Sequence, residues 1–132
     1  MSESSQRVVV LGLGYVGLPL VREATSRGLS VIGFDVSPTV VDALNSGRSH
    51  VDDITDGEVA QLVDRGFRAT TDPTCLADAD VAVICVPTPL DERRAPDLRA
   101  VESASRTIRD HLHRGMLVVL ESTSYPGTTD TL

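Results

Sequence analysis

The stretch that decides the fold is Arg7-Val-Val-Val-Leu-Gly-Leu-Gly-Tyr-Val-Gly17. Its first half, Arg7–Leu11, is a short apolar run rich in β-branched residues and reads as a strand. Its second half, Gly12–Gly17, is a glycine-rich turn of the form G-x-G-x-x-G. The residues that follow, Val16–Arg27, have helical spacing, with Pro19 tolerable in the first turn and Gly28 as C-cap. A glycine turn between a strand and a helix is the context in which this motif has chemical meaning. Gly12 permits the tight turn, Gly14 leaves room for a pyrophosphate, and Gly17 lets the helix approach the sheet. The helix start offers unpaired N–H groups and partial positive charge to an anion.

Outward from that turn, strands and helices alternate. Ser30–Asp35 reads as the second strand, and Ser37-Pro38 caps a short helix to Ser46, closed by Gly47. Thr55-x-x-Glu58 is a capping box opening a helix over Asp56–Arg65. Phe67–Thr70 is a third strand and Asp72–Ala77 a helical turn. Val81–Val86, apolar throughout, is a fourth strand buried on both faces. After the loop Pro87–Pro96, Asp97 caps a helix over Leu98–His113, whose apolar residues recur every three or four positions. Met116–Leu120 is the fifth strand, and Glu121–Leu132 a polar loop. Helical crossovers between strands imply a parallel sheet. The expectation is an α/β, doubly wound Rossmann-type domain, five strands in order 3-2-1-4-5, with ligands at the carboxyl ends of strands 1 and 4. Strand 5 is expected to present an unpaired edge.

Asp35 closes the second strand at the spacing from the glycine turn expected of a ribose-binding acid. Its carboxylate can accept from both ribose hydroxyls and repels a 2′-phosphate, and no arginine follows it in Val36-Ser-Pro38. This points to NAD rather than NADP as cofactor.

Composition narrows the class. The 132 residues carry 12 basic and 19 acidic side chains, a net charge of −7, and every basic residue is arginine. An acidic balance argues against a nucleic-acid partner. No apolar run approaches the ~20 residues of a membrane span. Two cysteines, Cys75 and Cys85, fit a reducing, cytoplasmic setting better than a disulfide framework. Cys85, inside an apolar strand, reads as an inert core thiol, and Cys75 as part of a polar turn. His111 and His113, two apart, do not share a helix face, and no metal pair is assigned. His50, Asp52 and Asp53 form an acidic loop that reads as solvated rather than as a metal site. Arg93 and Arg94 suit a sugar nucleotide, another subunit or plain solvent equally. The hydroxyls of Thr88 and of Ser122-Thr123, which follow strands 4 and 5, are candidate cofactor contacts.

Several segments taken together resemble one family. Val10-Leu-Gly-Leu-Gly-Tyr-Val-Gly-Leu-Pro-Leu20, Gly33-Phe-Asp35, Ile84-Cys-Val-Pro-Thr-Pro-Leu90, Pro96-Asp-Leu98 and Leu120-Glu-Ser-Thr-Ser-Tyr-Pro-Gly-Thr-Thr129 resemble the UDP-glucose/GDP-mannose dehydrogenases in their N-terminal, NAD-binding domain. The motif style is closest to the UDP-N-acetylhexosamine 6-dehydrogenases, acting on UDP-N-acetylglucosamine or UDP-N-acetylmannosamine. The resemblance implies oxidation of a C6 hydroxymethyl to a carboxylate with two NAD, through a cysteine-bound intermediate. It implies cofactor contacts from Gly12, Gly14 and Gly17, the Tyr15 and Val16 backbone, Asp35 at the ribose, and Thr88 and Thr123 near the nicotinamide. Thr123 also matches a position that helps place the catalytic water. Val40 departs from the family, which often carries a basic residue there near the adenosine ribose.

The family's nucleophilic cysteine, lysine and asparagine match no position here, and the chain contains no lysine. The expectation is therefore a single NAD-binding domain, 1–132, truncated before the family's central helix and UDP-sugar-binding domain, that binds NAD without turnover. The parent enzyme is expected to be a homodimer. A nucleotide-sensing regulatory module of a cation transporter shares the length, glycine motif and strand-2 acid but lacks the Pro-Thr-Pro and Ser-Thr-x-x-Pro-Gly-Thr segments. An S-adenosylmethionine-dependent methyltransferase also pairs a glycine turn with a strand-2 acid, but the third glycine and Pro87-Thr-Pro89 argue against it.

Overall fold

A computed structural model describes residues 6–52, 54–85 and 99–121. Its strands are β1 (Arg7–Leu11), β2 (Ser30–Phe34), β3 (Arg68–Thr70), β4 (Val81–Ile84) and β5 (Leu117–Leu120). Its helices are α1 (Gly17–Ser26), α2 (Pro38–Asn45), α3 (Asp56–Asp64) and α4 (Arg99–Asp110), with a 3-10 segment at Pro73–Asp78. The sheet is parallel throughout, as expected from the helical crossovers, and ordered β3-β2-β1-β4-β5, as expected of a Rossmann-type domain. β1 sits at its centre, with Val9 opposite Ile32 on one side and Ala82 on the other.

Strand ends fall a residue or so inside the expected limits, for identifiable reasons. Phe67 donates its N–H to the Leu62 carbonyl at 3.0 Å, so it belongs to the turn that ends α3. Met116 likewise bonds back to His113. Asp35 still donates to the Thr70 carbonyl at 3.1 Å while its side chain turns toward the glycine turn. At the end of α4, His111 and Leu112 bond three residues back, so the last turn expected there tightens out of the α form.

The helix starts follow their local chemistry. Ser37 accepts the Val40 N–H, and Pro38 opens α2. Thr55 and Glu58 form the expected capping box: Thr55 donates its N–H to Glu58 at 2.9 Å, and Glu58 donates its own to Thr55 Oγ1 at 3.1 Å. The same Glu58 carboxylate accepts from Arg22 at 2.9 Å, linking α3 to α1.

Alternation along β1 divides the core in two. Val8 and Val10 face Leu18, Val21, Leu44, Val59 and Phe67 under α1, α2 and α3. Val9 and Leu11 face Leu76, Ala104 and Ile108, which the 3-10 segment and α4 supply. Cys75 packs against this second cluster, half-buried, rather than standing in an open polar turn. Gly33 in β2 serves the first cluster: a Cβ there would lie 2.7 Å from a Leu13 methyl and 3.1 Å from the Phe67 ring. Among the described residues β5 pairs with β4 alone, and its Leu117, Val118 and Leu120 are exposed.

Two outcomes follow from this packing. Gly33→Ala overpacks the Leu13–Phe67 contact and should cost about 1–3 kcal/mol, measurable by urea unfolding. Hydrogen bonding from the Thr55 N–H, aided by Arg22, lowers the Glu58 pKa below its ordinary value of 4.5. A carboxyl lowered in the folded state stabilises fully above that value and loses its contribution as pH falls through the folded pKa. Glu58→Gln should therefore lower stability at neutral pH and flatten its decline in acid, as read from unfolding curves between neutral pH and pH 3.

Candidate functional site

The site is built at the carboxyl end of β1. There Gly12 adopts φ 99°, a conformation that L side chains rarely take, and donates its N–H to the Phe34 carbonyl at 2.8 Å. The chain leaves the sheet and enters α1 at Gly17. A Cβ on Gly17 would stand 1.7 Å from the Gly12 carbonyl oxygen and 3.4 Å from the Cys85 Cβ. The third glycine thus lets the helix start close against the turn itself, with the end of β4 just beneath. Gly14 is different: its φ is not positive, and a Cβ there would meet nothing within 4 Å. Among the described residues, no contact requires glycine at this position.

Val16 stands at the N-cap of α1 without a side-chain cap bond, and the first turn carries no acid. The positive end of the helix is therefore not neutralised by its own side chains. Tyr15 is exposed at 63 %, and Leu13 is wholly buried. The Leu13 N–H donates to Asp35 Oδ2 at 3.0 Å, while Ser37 N–H donates to Asp35 Oδ1 at 2.9 Å. Asp35 is thus a clamp holding the turn to the end of β2. A carboxylate has about four acceptor positions, so each oxygen keeps acceptor capacity beyond the bond it makes here, and Asp35 lines the adjoining cleft.

That cleft, of about 440 Å³, is lined by Leu11, Gly12, Leu13, Gly14, Phe34, Asp35, Val36, Val40, His50 and Ala100. The structure therefore gathers Gly12, Gly14 and Asp35 around one cavity and adds Val40. Thr88 and Thr123 lie outside the described residues, as do Arg93 and Arg94. The reading of residues 50–53 as a solvated loop did not anticipate His50, which lines the cleft; Asp53 lies outside the described residues. Val36 and Ala100 were also missed, although Val36 is the direct neighbour of the expected acid. The residues present fit a dinucleotide: a bare backbone at Gly14, an uncapped helix start and a carboxylate with free lone pairs. They fit a 2′-phosphate poorly, because Asp35 is anionic and the lining includes no arginine among the described residues.

Other polar candidates have local roles. The His111 ring donates from Nδ1 to the Thr107 carbonyl at 3.0 Å, and the His113 ring to the Arg114 carbonyl at 3.1 Å. Burial, with Glu121 nearby, raises the Cys85 thiol to about 11. Burial, with Asp72 nearby, raises Cys75 to about 11 as well. Neither environment activates a nucleophile, which requires a lowered pKa.

Comparison with known proteins agrees with this geometry. Residues 6–132 match the model of the "UDP-glucose/GDP-mannose dehydrogenase family, NAD binding domain". An NDP-N-acetyl-D-galactosaminuronic acid dehydrogenase from Ralstonia nicotianae is 46% identical over 127 residues, covering 95% of this chain and 29% of the relative. A UDP-N-acetyl-D-mannosamine dehydrogenase from Salmonella typhi is 42% identical over 127 residues, 95% of this chain and 30% of that one. The solved structure of a UDP-D-ManNAc dehydrogenase from Pyrococcus horikoshii superposes with a TM-score of 0.83 at 38% identity, over 96% of this chain and 30% of that one. The chain thus spans about three tenths of the length of these relatives. All three are dehydrogenases, which leaves the regulatory-module alternative without support. A Rossmann-type sheet, a glycine turn clamped by Asp35 and a match over nearly the whole chain together show that this chain belongs to the UDP-glucose/GDP-mannose dehydrogenase family, in the region of its NAD-binding domain.

Proposed function

We propose that this chain is the cofactor-binding half of a nucleotide-sugar 6-dehydrogenase. The substrate of the whole enzyme is a UDP-N-acetylhexosamine, whose C6 hydroxymethyl is oxidised to a carboxylate with two NAD. The observation that carries the reading is the open space at Gly14 beside the free lone pairs of Asp35. In this reading the pyrophosphate lies over Gly14 and the Tyr15–Gly17 backbone, and the positive end of α1 offsets its charge. Asp35 holds the adenosine ribose hydroxyls. Thr88 and Thr123 serve the nicotinamide end. When bound, NAD supplies the hydride acceptor; the chain's own residues bind and orient it.

A nucleophile is a separate matter. At a pKa of about 11, the Cys75 and Cys85 thiols are ionised to roughly one part in ten thousand at neutral pH. We assign the nucleophile, the UDP-sugar contacts and the homodimer contacts to the part of the longer relatives that this chain does not match. The domain as given binds NAD without turnover. No helix among the described residues is long and apolar enough to cross a membrane, and two free cysteines suit the cytoplasm.

Calorimetric titration should show NAD binding and weaker NADP binding, and no NADH should form when a UDP-N-acetylhexosamine is added. Absent NAD binding, or tighter NADP binding, would overturn the reading. Gly14→Ala should leave the free energy of unfolding within about 0.5 kcal/mol of wild type, since its Cβ meets no described atom within 4 Å, yet weaken NAD at least tenfold. Equal NAD affinity in that variant would remove the pyrophosphate from this turn. Asp35→Ala should weaken NAD roughly tenfold or more, the loss of charge-assisted hydrogen bonds of about 1.5–3 kcal/mol. It should also narrow the margin over NADP. An unchanged NAD/NADP ratio would refute the ribose role.

A further inference from the structure

We infer that His50 is the adenine-stacking residue of the cleft and, with Val36 and Val40, forms the slot that takes the base. The inference rests on the cofactor reading above and deepens it.

The loop joining α2 to α3 is pinned on both sides of His50. Ser49 donates its N–H to Asp56 Oδ1 at 2.8 Å. Its hydroxyl donates to the Val51 carbonyl at 2.8 Å and accepts the Val51 N–H at 3.0 Å. Val51 and Ile54 are then sunk in the core at 3 % and 2 % exposure, and the Ile54 N–H closes a turn onto the Val51 carbonyl. Between these anchors His50 is exposed and stands on the cleft wall. A residue held between such anchors, yet itself unburied, is preorganised for a partner from outside.

The cleft also has a direction. In the cofactor reading Gly12 and Gly14 take the phosphates beside the start of α1, and Asp35 takes the ribose. The same lining includes Val36, the direct neighbour of Asp35, with Val40 from the first turn of α2 and His50 from the loop that follows it. Val36 is 77 % exposed, an apolar side chain that no described residue covers. Two branched apolar side chains and one planar ring match the demands of a flat heteroaromatic base, which stacks on an aromatic face and excludes water against methyl groups. His50 contributes a planar face, so the role does not require a charge.

The test compares the wild type with His50→Ala and His50→Phe, titrating each with NAD and with ADP-ribose. The His50→Ala variant should lose about 5- to 20-fold in affinity for both ligands alike, because both carry the adenosine half. Its NAD/NADP preference, which belongs to Asp35, should stay as in wild type. The His50→Phe variant should retain affinity within about twofold, since a planar ring suffices. Both variants should unfold, without ligand, at the wild-type midpoint. Wild-type NAD affinity in His50→Ala would overturn the assignment while leaving the cofactor reading intact. A loss in His50→Phe equal to that in His50→Ala would overturn stacking. Failure of the wild type itself to bind NAD would remove both the cofactor reading and this inference.

Discussion

The arrangement of the whole site depends on the absence of one carbon atom. A Cβ on Gly17 would stand 1.7 Å from the Gly12 carbonyl oxygen, so only glycine lets α1 begin where it does. If the helix start were pushed outward, the positive end of α1 would leave the rim of the cleft, and the end of β4 beneath it would lose its cover. The same close approach fixes where Leu13 can go. It turns inward over Gly33, whose own missing side chain makes the space. Three glycines in two segments therefore act as one device, each for a different reason: Gly12 for its φ, Gly17 for clearance, Gly33 for packing.

Asp35 joins that device to the chemistry. One oxygen accepts the Leu13 N–H and the other the Ser37 N–H, so the carboxylate fixes the turn and the entry to α2 together. A group tied to two backbone donors cannot swing away, and its remaining lone pairs point where the fold dictates. Rigidity of this kind reduces the ordering cost of binding. It also means that loss of the carboxylate has a structural component, because a buried donor without an acceptor costs about 1–3 kcal/mol.

Much of this was legible in the residues. The parallel sheet follows from strands separated by helical crossovers, its order from the dinucleotide-type glycine turn and acid, and the helix starts from Ser37-Pro38 and the Thr55/Glu58 box, both local signals. The glycine turn and its acid were legible because their spacing is itself the requirement of the chemistry. What was not legible depends on contacts distant in sequence. The bond from Leu13 to Asp35 spans 22 positions and has no periodic trace. His50 lies in a polar loop with no pattern, and its direction is set by Ser49 reaching Asp56 and by Val51 entering the core. Cys75 read as part of a polar turn because its neighbours are polar, whereas the 3-10 segment carrying it lies over the sheet. A lone glycine inside a strand is a recognised sign of close approach, and Gly33 could have been read that way.

The order β3-β2-β1-β4-β5 has a consequence for how the chain comes off the ribosome. β1 is the first strand made and the central one in the sheet, yet one of its edges waits for β4, which begins at Val81. Until then a nascent sheet of β1, β2 and β3 carries Val9 and Leu11 on a face that still lacks α4. At about 5–20 residues per second, the wait from Leu11 to Val81 lasts on the order of several seconds. During it the middle of the future sheet is an open edge beside an uncovered apolar face. The translating cell has to shield that edge from other chains until β4 arrives.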